Sequence, residues 1–285
     1  MTPEYNPFAS FPAYRTIYFK ELFCKANTEI PSNTQLPLRI LNTIGKHPVD
    51  ILTTEISLAY FNNLNYSPRP CFQSYQAYNG FLDSLNAAKY TSSKAPAFLL
   101  FTPNSVDGRC DFWDETKTKI SICSNYSCID TFTMFDTTKY LLLKRNINRG
   151  EASLKFFRDN DTEVDKDIEI PENKHLLLMK LNLNYSMKGK IKSFLFHPPS
   201  LFVVLTKYDG TTISFYTVKS ILESGVLVNK NTLGIGGYQS LFSGKPDSLI
   251  TIKSVKIITR EPNCFNKSIS GSFYEVIGHA SSKAK

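Results

Sequence analysis

The sequence predicts an α/β domain with a mainly parallel sheet over residues 1–147, followed by an all-β, jelly-roll-like sandwich over residues 148–285. In the first part, apolar runs of strand length alternate with helical patterns, as is typical of α/β layers. In the second part, short β-rich runs follow one another with turn residues between them, which is typical of a sandwich. Asn, Arg and Gly interrupt both patterns at 146–150 and mark the boundary.

The elements of the first part follow from apolar periodicity and stop signals. A helix over 36–44 ends at Gly45, and the helix over 78–90 carries Phe81, Leu82 and Leu85 on one face. The remaining helices are predicted at 14–25, 54–64 and 114–124, and strands at 48–52, 69–74, 96–102 and 140–145.

The second part contains eight predicted strands. They cover 154–157, 175–183, 193–196, 201–207, 211–217, 226–228, 248–259 and 272–277. Asp209 and Gly210 predict a hairpin turn between two of them, and the pair Pro198-Pro199 interrupts another pair.

Composition and charge restrict the class of protein. With 42% hydrophobic and 20% charged residues, the chain can bury a core. The net charge of +8 is spread along the chain without a predicted basic helix, so no nucleic-acid partner is expected. An anionic membrane surface is a better match for such a charge. No apolar run approaches the roughly 20 residues that span a bilayer, and no signal peptide is evident.

Metal and cofactor sites are not predicted. The six cysteines form no CxxC pair and the four histidines lie far apart in sequence, which argues against zinc. A local disulfide among Cys110, Cys123 and Cys128 stays open, as does the alternative of unpaired thiols. The glycine-rich segment 234–237 has no Rossmann or Walker context and is predicted to be a flexible loop.

One enzymatic hypothesis rests on an acidic group around the only tryptophan. Asp107, Asp111 or Glu115 could supply the paired carboxylates of a soluble hydrolase or transferase acting on carbohydrate. A solvated loop with a helix cap, formed by Asp111 or Asp114, explains the same residues. No serine or cysteine lies in a nucleophile signature.

The segment 65–86 is the most informative stretch of the chain. It combines aromatic rings, which stack on sugar rings, with amide and guanidinium groups, which bind hydroxyls. Pro68 and Pro70 would hold its backbone rigid. A packed structural motif, in which Arg69 satisfies buried backbone groups, is the alternative explanation.

These residues also carry a resemblance. The runs PVDILTTEISLAYFNNLNYSPRPCFQSYQAYNGFLDSLNAAKY, APAFLLF, SVDGRCDFWDE and YLLLKR resemble the soluble extracytoplasmic region of multi-pass bacterial membrane proteins of the glycosyltransferase-like type. The strong likeness covers residues 46–145, and a weaker one continues through the β-rich part. Cys71 and Cys110 stand where the pattern has other residues.

The resemblance implies a non-catalytic extracytoplasmic module, tethered by transmembrane helices of the parent protein, which are its membrane partner. Its implied ligand is a glycan or lipid-linked sugar, and no cofactor is implied. A structural module that binds proteins through the β-rich part is a further alternative. The candidate ligand-binding residues are Asn65, Tyr66, Arg69, Gln73, Tyr75, Tyr78, Asp107 and Arg109.

Overall fold

The structure is a computed structural model that describes residues 34–52, 54–135, 137–146, 152–232, 234–246 and 249–278. The helix predicted at 14–25 lies outside the described residues. Among those described, no helix is both long enough and apolar enough to cross a bilayer.

Eight helices are described. They are α1 (Leu38–Ile44), α2 (Ser57–Phe61), α3 (Gly80–Thr91), α4 (Asp111–Asp114), α5 (Thr116–Asn125), α6 (Met187–Leu195), α7 (Lys219–Ser224) and α8 (Gly234–Phe242). A 3-10 turn covers Ser74–Gln76. The helix α1 ends at Gly45, as predicted, because the positive φ of 54° at this residue suits glycine.

The first sheet has four strands in the order β1-β2-β4-β3. Its strands are β1 (Val49–Leu52), β2 (Phe98–Phe101), β3 (Tyr126–Met134) and β4 (Thr138–Arg145). Only β1 and β2 are parallel, whereas β4 pairs antiparallel with both β2 and β3. The prediction of a mainly parallel sheet is therefore wrong. The sequence reading missed β3, and the β3–β4 hairpin reverses the chain before β4 joins β2.

The second part of the chain forms two five-stranded sheets. One contains β7 (Asp167–Glu169), β9 (Leu201–Lys207), β10 (Thr212–Thr217), β12 (Lys230–Asn231) and β13 (Ile250–Ile258). The other contains β5 (Ser153–Asp159), β6 (Thr162–Glu163), β8 (Leu177–Asn182), β11 (Val226–Leu227) and β14 (Ser268–Ile277). All pairings within both sheets are antiparallel. The predicted hairpin is confirmed, with Gly210 at a φ of 82° between β9 and β10.

Two predicted strands are not strands. Residues 69–73 are irregular, because the prolines that flank Arg69 cannot donate to a strand ladder, and Ser74 begins the 3-10 turn. Residues 193–196 fall within and just after α6, whose first turn is capped by the Ser186 side chain. The predicted loop at 234–237 is instead the first turn of α8.

The strands β1 and β2 and the middle of β4 are buried on both faces of the first sheet, and their successive residues enter different cores. In β2, Phe98 and Leu100 pack with α1 and α2, while Leu99 and Phe101 face the larger core. That larger core is continuous with the second part of the chain, since the Phe101 ring lies 4.7 Å from that of Tyr238. The predicted division at residue 147 stays a prediction.

Candidate functional site

Arg69 lies at the centre of a buried polar network beneath the segment 65–86. It is only 1% exposed. Its Nε donates to Glu115 Oε1 at 3.1 Å, Nη1 donates to the Ile51 carbonyl at 3.0 Å, and Nη2 donates to Ser74 Oγ at 3.0 Å. Three different parts of the chain are thus joined by one guanidinium, whose planar fork suits several acceptors at once.

Asp50 forms the second side of this network, in the middle of β1. Its carboxylate lies 3.5 Å from Arg69 Nη1 and accepts from the Arg69 backbone N–H at 3.2 Å. The Tyr90 hydroxyl of α3 donates to the same carboxylate at 2.7 Å. A charged residue inside an otherwise apolar strand is therefore fully paired, which is what burial of a carboxylate requires.

Glu115, at the junction of α4 and α5, forms the third side. Its carboxylate accepts from Asn86 of α3 as well as from Arg69. Asn86 also binds both backbone polar groups of Cys71, at 2.8 Å each. The irregular backbone after Pro70 is in this way fixed to α3 by a single amide side chain.

The charge states in the network follow from burial and neighbouring charges. Burial raises the pKa of Asp50, although the nearby Arg69 opposes the shift. Burial would also raise the pKa of Glu115, but Arg69 and Lys119 outweigh it and the pKa is lowered. Glu115 is thus the carboxylate that most firmly holds its negative charge opposite Arg69.

The helix α3 faces the protein interior with its polar side and not with its apolar side. Its buried residues are Asp83, Asn86 and Tyr90, all of them polar or carrying a hydroxyl. Phe81 and Leu85, which the sequence placed on one face, are 71% and 41% exposed. The polar network and the capping of α5 require the polar side of α3 to face inward, so its apolar side faces solvent.

Asp83 explains how α3 is held against α5. Its carboxylate accepts from the backbone N–H groups of Lys117 and Thr118, at 2.8 and 2.9 Å, and from the Thr118 hydroxyl at 2.9 Å. These are the otherwise unpaired donors of the first turn of α5, so Asp83 acts as a cap from a neighbouring helix.

The remaining candidates from the segment 65–86 lie at or near the surface. Asn65 is exposed and Tyr66 half-buried, and their backbone extends alongside Val49 of β1. The Tyr75 hydroxyl donates to Gln73 Oε1 at 2.7 Å, and both side chains are half-buried. Tyr78 is 48% exposed. Arg69 is the one residue of this group that solvent does not reach, and whether the others bind a ligand stays a prediction.

Asp107 and Arg109 form a separate group near β10. Asp107 is exposed, and Arg109 lies 3.8 Å from it and 3.7 Å from the buried Asp114. The backbone of Arg109 pairs with Tyr216, and its guanidinium lies 5.9 Å from the centre of that ring. Asp114 thus faces Arg109, and the adjacent Glu115 faces Arg69. The junction of α4 and α5 therefore connects the two groups of the predicted site.

The carboxylates of the enzymatic hypothesis do not converge. Glu115 is ion-paired and buried, whereas Asp107 is exposed at a turn. Asp111 is half-buried at the start of α4, where burial raises its pKa despite the nearby Lys119. Their different surroundings do not provide the facing pair that a glycosidase needs.

Within the described part of the chain, no group of His, Cys, Asp and Glu is arranged to hold a metal ion. Five cysteines are free thiols there, including Cys110, Cys123 and Cys128, for which a local disulfide was left open. At 234–237, Gly237 is required by packing, because a Cβ would lie 2.8 Å from the Thr232 backbone.

Sequence reasoning missed Asp50, Asn86 and Tyr90. Asp50 was the available signal, since a carboxylate in the run VDIL demands a buried cation partner. For Asn86 and Tyr90, the available signal was their spacing, because the polar residues of α3 recur as regularly as its apolar residues.

No protein-family model matches the chain, and no curated protein matches it.

Two buried aspartates make the stability of this region dependent on pH. Burial raises the pKa of both Asp83 and Asp114 to about 6, against an ordinary value of 3.8. Between these values the folded protein holds protons that the unfolded chain has released. The free energy of unfolding attributable to these groups therefore falls as the pH rises from about 4 to about 6. Glu115 acts oppositely, since its lowered pKa gives stability that is lost as the pH falls.

Replacing Asp114 by asparagine should remove its part of this slope. The neutral amide has nearly the same shape but cannot ionise, so the variant should compare more favourably with the wild type at pH 7 than at pH 4. The difference between the two pH values should be on the order of 1–3 kcal/mol. Urea denaturation at both pH values measures it. An unchanged pH dependence would show that Asp114 does not titrate in this range.

Proposed function

We propose that this chain is a non-catalytic, extracytoplasmic recognition module of a membrane glycosyltransferase-like protein, and that it binds a glycan or the sugar part of a lipid-linked sugar. The observation that carries the proposal is the exposed side of α3, together with the segment that precedes this helix. Phe72, Tyr78, Phe81 and Leu85, which we name the α3 outer surface, are all exposed. Exposed rings with amide groups beside them are typical of sugar-binding surfaces.

Hydrogen bonds fix the backbone that carries the α3 outer surface. The hydrogen bonds between Cys71 and Asn86 bring the neighbouring Phe72 alongside α3. Ser220 of α7 donates to the Tyr78 carbonyl at 2.8 Å, which fixes the other end of the surface. Asn79 caps α3 by accepting from the N–H groups of Phe81 and Leu82. Rings held in place in this way lose little conformational freedom on binding, which favours affinity.

Polar groups suited to sugar hydroxyls lie in the same segment. Gln76 is exposed, and Gln73 and Asn79 are half-buried. Gln76 offers both donors and an acceptor to a sugar ring. The amide oxygens of Gln73 and Asn79 already accept from Tyr75 and from the first turn of α3, so these two residues offer their NH2 groups as donors. Glu115 is buried in an ion pair with Arg69, whereas Asp107 is exposed, so the two carboxylates do not form a facing pair. This arrangement favours recognition over hydrolysis.

The proposal also includes two finer features of the chain. Extracytoplasmic location beside a membrane rests on the resemblance of residues 46–145. A jelly-roll-like stacking of the two antiparallel sheets is the arrangement we propose for the second part.

An array of soluble oligosaccharides, followed by calorimetry with the strongest binder, tests the proposal. Phe81→Ala and Tyr78→Ala should each weaken binding by about 3- to 10-fold, since stacking on one ring contributes roughly 0.5–1.5 kcal/mol. Both side chains are largely exposed, so the fold should tolerate the changes.

Tyr60→Ala is the matched control, because Tyr60 is an aromatic residue of α2 that is 68% exposed and lies outside the segment. It should leave binding unchanged. If no oligosaccharide binds, or if the control weakens binding as much as the α3 variants, the α3 outer surface is not a sugar site.

A further inference from the structure

The helix α6 exposes an unusually large apolar surface. Its stripe consists of Met187, Ile191, Phe194 and Leu195, continued by Phe196 just after the helix, and we name it the α6 stripe. These side chains are between 55% and 88% exposed. The spacing of i, i+4, i+7 and i+8 places the four helical residues on one side of α6. These four residues therefore form one apolar ridge, and Phe196 adds an exposed ring at its end.

The orientation of α6 is fixed by its opposite side. A Cβ at Gly189 would lie 1.9 Å from the Cys264 carbonyl oxygen, so the helix approaches that backbone as closely as glycine permits. Ser186 adds a hydrogen bond from its backbone N–H to the same carbonyl, at 3.1 Å. Lys192 forms an ion pair with Glu261. With these contacts on one side, the α6 stripe points away from the protein.

Basic side chains accompany the stripe. With about 100° of rotation per residue, Lys188 and Lys190 flank it on its two sides, and both are exposed. The sequence contains no aspartate or glutamate between Glu172 and Asp209. Glu261 pairs with Lys192, whereas Lys188 Nζ donates to the uncharged Pro262 carbonyl at 3.3 Å and keeps its positive charge uncompensated there. Lys188 and Lys190 therefore give the rim of the stripe a positive charge.

The combination of exposed apolar side chains and lysines distinguishes a membrane surface from a protein partner. Lysine is depleted at protein–protein interfaces, whereas helices that lie in the membrane surface combine lysines on the polar side with Phe and Leu on the other. Lysine stems can lie along the apolar region while their ammonium groups reach the phosphates. The charge and the apolar side chains of α6 therefore fit an anionic lipid surface better than a protein.

We propose that α6 is a membrane-surface anchor, which inserts the α6 stripe among the acyl chains while Lys188 and Lys190 contact anionic lipid headgroups. The helix lies in the plane of the bilayer and does not cross it, since it has only nine residues. This proposal stands independently of sugar binding, because α6 and α3 present different residues. It would bring the remainder of the chain to the membrane face.

Vesicle co-sedimentation tests the proposal with two lipid compositions, pure phosphatidylcholine and equal parts of phosphatidylcholine and phosphatidylglycerol. The wild type should bind the anionic vesicles more strongly, and added salt should weaken that binding by screening. The double variant Ile191→Glu/Phe194→Glu should lose at least about tenfold in affinity for them. Both positions are exposed, so thermal unfolding should match the wild type and show that the fold is retained.

A second readout uses Phe194→Trp. Its fluorescence should shift to the blue when anionic vesicles are added, while Trp113 stays buried and provides a constant background. Tyr208→Ser is the control, because Tyr208 is 60% exposed in the turn between β9 and β10, and it should keep vesicle binding.

Three results would overturn the proposal. They are a wild type that binds neither kind of vesicle, a double variant that binds as well as the wild type, and a dimer in solution that the double variant dissociates. The last would make the α6 stripe an interface between copies of the chain. Sugar binding by the double variant, measured in parallel, reports on the α3 outer surface alone.

Discussion

Replacing Arg69 by alanine is expected to lower the free energy of unfolding by about 3–5 kcal/mol, the cost of removing one partner from a buried ion pair. Arg69 is the cation that Asp50 and Glu115 both face, and each of these side chains is fully buried. The change also leaves the Ile51 carbonyl without the guanidinium donor. Urea denaturation followed by circular dichroism measures the loss.

Two further variants define the cause. Arg69→Lys keeps the charge but loses the planar fork, so its loss should be intermediate. Arg39→Ala removes an arginine that is also ion-paired, to Asp130, but whose side chain is 53% exposed. It should cost less than about 1 kcal/mol, since exposed pairs contribute little. Equal losses at positions 39 and 69 would contradict a special role for burial.

The network also links stability to the proposed recognition role. The segment that carries Phe72 and Tyr78 has no strand partners of its own after Pro70. Asn86 binds the backbone of Cys71, and Arg69 binds the Ser74 hydroxyl. A variant at Arg69 that still folds should therefore loosen the α3 outer surface without touching a ligand. Such a variant cannot by itself identify a binding residue, which is why the sugar test uses exposed rings.

Elements with strong local signals could be predicted from the sequence. The strands β1 and β2 are short apolar runs, and the β9–β10 hairpin has an Asp-Gly turn whose glycine takes the expected positive φ. Helix α1 has its stop signal in Gly45. In each case the information lies within a few neighbouring residues, where periodicity and turn chemistry act.

The parts that could not be predicted depend on distant contacts. Arg69 is 46 residues from Glu115, and its backbone is 19 residues from the Asp50 that it contacts. Nothing local distinguishes an arginine at a surface from one that closes such a network. The same contacts decide that α3 buries its polar side, against the usual preference for burying the apolar one.

Helix α6 could not be predicted for a different reason. Its lysines alternate with other residues over 188–192, and the run of apolar residues that follows looks like a strand. The helix instead depends on the Ser186 cap and on the close contact of Gly189 with a loop 75 residues later. The sequence pattern therefore does not predict this basic helix.

Gly189→Ala is the second change with a large expected effect. The added methyl group would lie 1.9 Å from the Cys264 carbonyl oxygen and 2.9 Å from its carbon, and neither backbone atom can turn aside as a side chain would. The helix must then move away from the 261–264 loop. We expect a loss of about 3 kcal/mol in the free energy of unfolding, at the upper end of the usual cost of overpacking. Thermal and urea denaturation measure it.

Gly236→Ala separates this clash from the effect of alanine itself. Gly236 also lies within a helix, α8, but nothing lies within 4 Å of the position that a Cβ would take. Alanine favours helix over glycine by up to about 1 kcal/mol, so this variant should be slightly more stable than the wild type. Opposite signs at positions 189 and 236 would establish that α6 is held by close backbone contact. If Gly189→Ala were also stabilising, α6 would not be packed against the 261–264 loop, and the outward orientation of the α6 stripe would lose its main support.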